Sequence, residues 1–454
     1  MRTSTTLLYI LLLLFPFFTW GQTHTWNGNG GDTNWFNASN WDANTVPDAT
    51  STVLIPSGFT VDITSSLATL DFMTIEANAT LEVNNSITIT NGIEIMANGY
   101  FLYTLGTLSG NATITNHGTF EITGWTQKII SQLTFNNENL LFINDTGIIR
   151  AWDNMVLNNA QGATILASGS SGALSTDATG GTFNNYGLLH KEDIGQFGSF
   201  YLTLVTNNYG TLWVGKTQNI LVLGPQQAIN NMSTGIMAGE GSFDITAPFS
   251  NNGIIRPDGT QAVELDFVNT FTLSPQSTIE LDIFGSLPEE YDTLEVLDDP
   301  YIEGAIAITL HYDAAINDTF TVITASHGIT GCNLPPSIFT TYQNLIYEFE
   351  VTCTSDEVIL KVINKEPVLD NEEFEQLNIT ATPNPTRGTF DIQFGMIVPE
   401  VELTVSNVLG QTLSKHTVQN TDTYQLTIDG ATGIYFITAK TATEKTASFK
   451  VIKK

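Results

Sequence analysis

Three tryptophans near the start of the chain are the first residues whose type and spacing suggest chemistry. Trp26, Trp35 and Trp41 lie in the stretch TWNGNGGDTNWFNASNW, among Asn, Gly and Asp residues. Exposed aromatic rings beside amides are what a sugar-binding surface uses, whereas buried rings beside turn residues are typical of the closed end of a β-protein. The stretch therefore has two interpretations, a glycan contact or an N-terminal cap. Asp32, with its Asn and Gly neighbours, is also a candidate calcium ligand.

Catalysis needs side chains that converge, and the sequence offers few of them. Glycoside hydrolysis requires two carboxylates a few ångströms apart, and a polysaccharide lyase would use a Lys or Arg base. The six histidines have no metal-ligand spacing, and GxSxG, HExxH and phosphate-loop motifs are absent. We therefore predict no catalytic residue and no metal site. The acidic residues between 110 and 260 are scattered along the chain: Glu121, Glu138, Asp145, Asp153, Asp177, Glu192, Asp193, Glu240, Asp244 and Asp258.

Two further groups have a structural and a functional interpretation. The densest polar group is His190-Lys191-Glu192-Asp193. Adjacent strand residues point to opposite faces, so these four side chains converge only in a loop, and a solvated turn is expected. Trp125, Trp152 and Trp213 could be sugar platforms, but an aromatic residue near a repeated strand more often packs in the interior, which is the outcome we expect.

The elements that must position these residues are strands. Helical periodicity is nearly absent, and short alternating runs such as SITITNG and YLTLVTNN are broken by Asn, Gly and Asp. Asn-Asn pairs begin at 84, 136, 158, 184, 207, 230 and 251. From 136 onward the successive steps between these positions are 22, 26, 23, 23 and 21. The spacing, more than the number of pairs, indicates a repeat.

A period of about 23 residues suits one coil of a parallel β-solenoid with three short strands. We predict an all-β chain with a right-handed parallel β-solenoid (β-helix) over residues 59–275. An Asn at a recurring corner can adopt the left-handed conformation and can hydrogen-bond to the Asn of the next coil, forming a ladder. The alternative is a series of β-sandwiches with Asn-rich loops.

The solenoid needs protected ends, because open strand edges invite aggregation. Residues 22–58 directly precede the first repeat-like strand and are predicted to form the N-terminal cap. Their pattern resembles the segment at the N-terminal edge of many bacterial adhesin-like β-solenoids. The residues that carry this resemblance are Trp26, Gly28, Trp35, Asn40, Trp41, Val46, Pro47, Val53, Ile55 and Pro56.

Residues 276–364 are predicted to be a closing β unit. They resemble the last unit of autotransporter-like passenger solenoids through Tyr291, Asp292, Leu294, Val296, Gly304, Phe320, Val322 and Gly331. The chain has two cysteines, Cys332 and Cys353, just beyond this pattern. They are either a disulfide that closes a hairpin-sized loop in an oxidising location or two unrelated thiols.

An acidic linker at 365–379 leads into residues 380–454, which are predicted to form a small antiparallel β-sandwich with strands around TFDIQF, VELTVSNV, YQLTI, GIYFITAK and TASFKVIKK. The order and spacing of several residues here resemble the C-terminal sorting domain of the Bacteroidota type IX secretion system. Thr382 stands where that family often has Tyr. The matching residues are Pro383, Asn384, Pro385, Gly388, Gly410, Gly433, Tyr435, Lys453 and Lys454. The resemblance implies that this segment addresses the protein to the secretion machinery. Without the resemblance, the segment would be a plain C-terminal binding module.

Composition is consistent with export. Residues 1–21 have a basic start, an apolar stretch and small residues before Gln22, as in a cleaved signal peptide, and no later run is long enough to span a membrane. The net charge of −31 argues against a nucleic-acid partner, and it lies almost wholly before residue 380. Acidic residues suit weak calcium binding, but no cofactor is required.

Together these patterns predict a secreted or outer-cell-surface protein delivered by type IX secretion. Its expected partners are the secretion machinery and, for an adhesin-like role, glycans or host and substrate surfaces. The alternatives are a polysaccharide lyase or glycoside hydrolase on the same β-helix scaffold, and a structural surface-layer component.

Overall fold

The computed structural model describes residues 22–144, 146–176, 180–192, 198–216, 219–224, 227–269, 271–367, 379–441 and 446–454. These residues fall into two compact units that divide between Glu366 and Pro367. The predicted signal peptide at 1–21 and the centre of the predicted linker, 368–378, lie outside the described residues. Within the described part of the chain there is no helix long and apolar enough to cross a membrane.

The first unit is a parallel β-solenoid of about ten coils with a repeat near 22 residues, which confirms the predicted fold class. Each coil contributes strands to three sheets, and each strand pairs in parallel with its equivalents one coil before and one coil after. Three long strands turn a corner and belong to two sheets each: Ala68–Ile75, Ile87–Ile95 and Tyr100–Ser109.

The strand bounds follow the coils. Besides the long strands, the first sheet contains Gln127–Ser131, Ile148–Trp152, Ser171–Thr176, Gly198–Leu202, Asn219–Leu223, Ser242–Ile245, Glu264–Asn269, Thr293–Val296 and Thr319–Ala325. The second sheet contains Thr23–Thr25, Thr52–Ile55, Thr113–Asn116, Thr134–Asn137, Met155–Asn159, Gly181–Asn185, Val205–Asn208, Ile229–Asn231 and Phe249–Asn251. The third sheet contains Thr60–Ile63, Thr80–Asn84, Thr119–Ile122, Leu140–Asn144, Thr164–Ser168, Leu188–Lys191, Thr211–Val214, Ile236–Gly239, Ile254–Pro257, Thr278–Ile283 and Ala305–Leu310.

The interior is a set of stacked apolar columns. Successive strand residues alternate between buried and partly exposed, as a β-strand with one buried face requires. Because the coils pair in register, each inward residue packs on its equivalent in the next coil. Phe101 stacks on Phe120, for example, with ring centroids 4.4 Å apart.

The recurring Asn pairs from Asn136 onward lie at the ends of second-sheet strands, and the predicted ladder is present. Asn137 donates through Nδ2 to Oδ1 of Asn159 at 2.8 Å, and Asn159 donates to Asn185 at 2.8 Å. The prediction that the paired asparagines adopt a left-handed backbone is wrong. All of the pairs lie in the described residues, and no Asn of a pair has a positive φ angle. The left-handed conformation occurs instead at other corners, such as Asn78 and Asn98. The asparagines of the ladder have an extended strand backbone. Because the strands pair in register, their amides are aligned from coil to coil.

The solenoid also extends beyond the predicted boundary at 275. Glu264–Asn269 pairs in parallel with Thr293–Val296, and Thr278–Ile283 pairs in parallel with Ala305–Leu310. These coils were missed because the Asn pairs stop at 251, although the strand stacking does not. Antiparallel pairing between whole strands of this unit occurs at its C-terminal end, where Thr319–Ala325 meets Glu357–Pro367.

The remaining elements close the C-terminal end. Ser337–Tyr342 and Leu345–Cys353 form an antiparallel hairpin, and Tyr301–Glu303 pairs with Gly331–Asn333. Two short 3-10 helices lie elsewhere in this unit: Ala38–Asn40 in the N-terminal segment, and Pro288–Glu290 between the strands Thr278–Ile283 and Thr293–Val296.

The second unit is an antiparallel sheet of five strands: Thr380–Thr382, Thr389–Asn407, Thr412–Thr427, Gly433–Thr441 and Thr446–Lys453. TFDIQF and VELTVSNV, expected as separate strands, form one strand. Its pairing with Thr412–Thr427 shifts register between Gln393 and Val398, near Gly395, whose φ of +72° accommodates the irregularity.

Candidate functional site

Most of the sorting-type residues of the second unit gather at one end of its sheet. Asn384 lies beside the last strand, where its Nδ2 donates to the carbonyl of Lys450 at 2.8 Å and its Oδ1 accepts from the backbone N–H of Ile452 at 2.9 Å. The amide thus pairs with the strand edge as a neighbouring backbone would. Pro383 and Pro385 flank it and cannot donate hydrogen bonds themselves, so Asn384 supplies the pairing for the PNP segment.

Gly388 and the last two lysines complete the same corner. The φ of Gly388 is +130°, and a Cβ there would lie 3.4 Å from Cε of Lys453. Lys453 donates through Nζ to the carbonyls of Ile428 and Gly430, at 2.7 and 2.8 Å. The backbone N–H of Lys454 donates to Thr386 at 2.9 Å. The C-terminal residues are therefore held by the segment that follows the PNP motif.

Tyr435 and Gly433 lie at the same end. The Tyr435 ring is buried, and its hydroxyl donates to the carbonyl of Ala431 at 2.6 Å. Gly433 pairs with Lys453, and Gly410 lies in the turn that follows Asn407, whose strand partner is Tyr435. Eight of the nine sorting-type residues thus lie around the last strand and the PNP segment, and Gly410 lies apart in the turn beyond Asn407. The nine are spread in sequence over the whole segment from Pro383 to Lys454.

An acidic cluster on the first sheet is the strongest candidate for chemistry in the first unit. Glu264, Asp266 and Glu295 each place a carboxylate oxygen within 4.8 Å of the others. Glu264 and Asp266 are two residues apart on one strand and point outward, and Asp266 pairs with Glu295 of the next coil. Burial raises the pKa of Glu264, with Asp266 and Glu295 adding to the effect, and burial also raises the pKa of Asp266. Carboxyl groups with raised pKa values can hold or transfer a proton.

A groove of about 850 Å³ runs beside this cluster, and Trp213, Lys216, Glu240 and Asp258 also line it. Glu264 and Asp266 belong to both the groove and the cluster. The sequence did not predict this cluster, because its three acids lie beyond residues 110–260 and are not spaced at the period of the Asn pairs. The alternation of Glu264 and Asp266 on one strand face could have indicated the cluster. Its third acid, Glu295, follows in a coil that is longer than the period of the Asn pairs.

The three N-terminal tryptophans lie in the interior. Trp26, Trp35 and Trp41 are 2%, 0% and 0% exposed. Trp41 packs edge-on against both other rings, with centroids 4.9 Å apart in each pair. Its Nε1 donates to the carbonyl of Trp35 at 2.8 Å. This burial argues against the glycan-contact interpretation, because a sugar has no free ring face on which to stack.

The same segment covers the open edges of the first coil. Thr23–Thr25 pairs with Thr52–Ile55 in the second sheet. Trp35 donates its backbone N–H to the carbonyl of Asp62 at 3.0 Å, in the first strand of the third sheet. The tryptophan-rich segment therefore lies where a cap is expected.

Asp32 is occupied by protein donors. Its carboxylate accepts from Nδ2 of Asn37 at 3.0 Å and from Nδ2 of Asn40 at 2.6 Å, and Asn34 donates a backbone N–H at 3.1 Å. The bonds from Asn37 and Asn40 hold the pKa of Asp32 below its usual value. An aspartate engaged in this way organises the loop, which argues against Asp32 as a calcium ligand.

The second group of tryptophans is not in the interior, contrary to expectation. Trp125 is 84% exposed, while Trp152 and Trp213 are partly exposed. Trp213 lies on the outer face of the third sheet beside His190, with ring centroids 4.4 Å apart. The interior was expected because aromatic residues favour it, but the strand register decides which way each one points.

His190 and Lys191 also differ from expectation, because they end the strand Leu188–Lys191 and do not form a solvated turn. Lys191 is 1% exposed, and its Nζ donates to the carbonyls of Gly169 and Glu192, at 3.1 and 2.9 Å. Asp193 lies outside the described residues. The alternation of the strand places His190 outside and Lys191 inside.

Cys332 and Cys353 form a disulfide, with Cα atoms 6.4 Å apart. Cys353 ends the strand Leu345–Cys353 of the closing hairpin, and Cys332 lies in the strand Gly331–Asn333. The bond therefore ties the hairpin to a neighbouring strand at the end of the solenoid.

Two known families match parts of the chain. A family described as a secretion system C-terminal sorting domain matches residues 381–454. A family described as a domain of unknown function (DUF8693) matches residues 25–158, from the tryptophan-rich segment into the solenoid. No curated protein matches the chain significantly. The chain thus carries a type IX sorting tail and is cargo for export to the cell surface or the surroundings.

Proposed function

We propose that this exported protein is an adhesin-like surface protein whose solenoid makes contact with glycans or with host and substrate surfaces. The observation that carries the proposal is the combination of a sorting tail with a rigid parallel solenoid whose outward residues repeat from coil to coil. Repeated outward groups favour multivalent contact, in which many weak contacts act together. The route begins with the cleaved signal peptide predicted at residues 1–21.

A cell-attachment assay tests adhesion directly. Residues 22–365, which hold the solenoid and its two ends, are immobilised and challenged with cells and with a glycan array. We expect attachment above that of an unrelated immobilised acidic protein of similar charge. The absence of attachment in both formats would favour a structural surface-layer component.

Delivery is tested by removing residues 380–454 in the producing bacterium. We expect the shortened protein to accumulate in the periplasm, whereas the intact protein reaches the surface or the medium. Asn384→Ala is a finer version of this test, because it removes the amide that pairs with the last strand. Unchanged surface delivery of both variants would contradict the sorting role.

The acidic groove supports a second candidate function, hydrolysis of a polysaccharide. Glu264, Asp266 and Glu295 provide neighbouring carboxylates, two of them with raised pKa values, beside a groove with Trp213 in its wall. One protonated and one ionised carboxyl group are the requirement for cleaving a glycosidic bond. Reducing ends released from a polysaccharide by the wild type, but not by Glu264→Gln or Asp266→Asn, would establish this activity and replace the adhesin interpretation.

A further inference from the structure

The outer face of the second sheet, as far as the structure describes it, carries no ionisable side chain over several coils of an otherwise acidic protein. Its outward positions form two columns that run along the solenoid axis. The register pairs Thr113, Thr134, Val156, Thr182 and Val205 in one column, and Thr115, Asn136, Asn158, Asn184, Asn207, Asn230 and Ser250 in the other. Along the second column, the next outward residue on the N-terminal side is Glu94. Charge also borders the face at its N-terminal end, where the exposed Glu138 follows Asn137 and lies 3.1 Å from Nδ1 of His117. We call these two columns the neutral face.

The amides of the neutral face form a ladder with unused hydrogen-bonding capacity. Asn184 donates to Asn158, and Asn207 donates to Asn184, each at 2.9 Å. A side-chain amide has two N–H donors and two acceptor lone pairs, and the ladder uses one of each in these residues. Within the described part of the chain, no second side-chain partner is found for them. A row of fixed amides, about 4.8 Å apart, is therefore available to a ligand.

An aromatic pair borders the neutral face. Tyr186 and Tyr209 directly follow the Asn pairs of successive coils and stack with centroids 4.8 Å apart and planes inclined by 9°. Tyr186 is 48% exposed even though Tyr209 covers one side of its ring. The residue at the equivalent corner of the preceding coil is Ala160. Its backbone N–H donates to the carbonyl of Asn137, just as the N–H of Tyr186 donates to the carbonyl of Asn159. A small residue at that corner leaves the other side of the Tyr186 ring accessible.

We infer that the neutral face and its tyrosine border bind an uncharged polysaccharide chain that lies along the solenoid axis. The amides exchange hydrogen bonds with sugar hydroxyl groups, and Tyr186 stacks on the apolar side of a sugar ring. A polyanionic glycan is disfavoured, because it would be repelled by a protein with a net charge of −31. A neutral ligand desolvates no charge on this face. This inference rests on the proposed adhesive function and specifies its ligand.

The test is affinity electrophoresis of the purified full chain in native gels that contain a soluble linear glucan, a mannan or a xylan, with alginate as the charged comparator. We expect at least one neutral polysaccharide to retard the protein, equally at about 0.05 M and about 0.5 M salt, since no ion pairs are involved. Tyr186→Ala should weaken this binding about tenfold, and Tyr186→Phe should retain it.

Thr182→Asp adds a charge to the neutral face without altering the ladder, and it should also weaken binding about tenfold or more. The matched controls lie on the outer face of the first sheet. Tyr201→Ala removes a tyrosine that is 43% exposed, and Ser199→Asp adds a charge at an outward position. Both should bind like the wild type, and thermal unfolding verifies that all variants are folded.

Equal retardation of the neutral-face variants and the controls would overturn the inference. If no neutral polysaccharide retards the wild type while cell attachment persists, the inference fails and the adhesive function stands. If attachment also fails, both are rejected.

Discussion

The two asparagines of each pair from Asn136–Asn137 to Asn230–Asn231 have the same side chain but opposite environments. The second Asn of a pair, such as Asn185, is buried in the solenoid, whereas the first, such as Asn184, faces outward. Both form ladders across the coils, but in opposite directions. Inner amides donate toward the C-terminal end, as from Asn185 to Asn208 at 2.8 Å, and outer amides donate toward the N-terminal end.

The ladders also differ in how completely their groups are used. Inner amides use their second N–H on a backbone carbonyl of the next coil, as Asn185 does on Thr211 at 3.0 Å. Buried polar groups must be satisfied in this way, because leaving one unpaired costs about 1–3 kcal/mol. Outer amides can exchange their bonds with water. Position relative to the coil wall therefore determines whether an asparagine stabilises the fold or remains available for binding.

The largest difference in stability between substitutions at buried and at exposed positions is expected for tryptophan. Trp35→Ala should lower the free energy of unfolding of the first unit by about 3–5 kcal/mol, because it leaves a cavity among the cap rings. Trp125→Ala, at a position that is 84% exposed, should change it by less than about 0.5 kcal/mol. Denaturant unfolding monitored by circular dichroism measures both. Equal effects would mean that the cap contributes little to stability.

Asn185→Ala should lower the free energy of unfolding by about 3 kcal/mol. Nδ2 of Asn159 loses its ladder acceptor, and the buried Oδ1 of Asn208 loses its donor. Melting of the purified variant, with hydrogen exchange at the neighbouring coils, measures the effect. A loss below about 1 kcal/mol would show that water enters the wall and replaces the ladder.

The same alternation explains what the sequence could and could not predict. The spacing of the Asn pairs predicted the coil and the ladder, because in-register stacking repeats both residue type and position. It did not predict the coils beyond 275, where the Asn pairs stop but apolar strands such as Thr278–Ile283 still stack. The spacing of the motifs identified the sorting-type residues, but it did not predict that residues far apart in the sequence meet in the folded domain.

The acidic cluster shows the physical limit most clearly. Asp266 and Glu295 meet only because the coil between them is longer than the period of the Asn pairs and restores the register after a loop. The period of the Asn pairs, the last of which begins at 251, does not give the length of that coil. The outward direction of Trp213 depends on the strand register, and it could not be predicted from the residue type alone.

A buried and an exposed carboxyl group should differ in their effect on pH-dependent stability. Burial raises the pKa of Asp292 to about 6, although backbone N–H groups of Asp282 and Val263 donate to it. A raised pKa means that the stabilisation present below about pH 4 is lost as the pH rises through 6, by at most about 3 kcal/mol.

Asp292→Asn should therefore reduce the decline of stability between pH 4 and pH 6.5, as measured by denaturant unfolding at several pH values. Asp299→Asn, at an exposed position, serves as the control and should leave the slope unchanged. A decline in Asp292→Asn as steep as in the wild type would assign the pH dependence to other carboxyl groups, such as Glu264 and Asp266.

The smallest effect is expected at the outer ladder. Asn184→Ala removes two hydrogen bonds, those with Asn158 and Asn207, but water can satisfy both partners, so the free energy of unfolding should fall by only about 0.5 kcal/mol. The double variant Asn184→Ala/Asn207→Ala should lose less free energy of unfolding than the sum of the two single variants, because the two residues share one hydrogen bond. Comparison of the single and double variants by denaturant unfolding measures this coupling. A loss at Asn184 as large as that at Asn185 would mean that the outer row is structural, which would remove the basis for treating it as a binding surface.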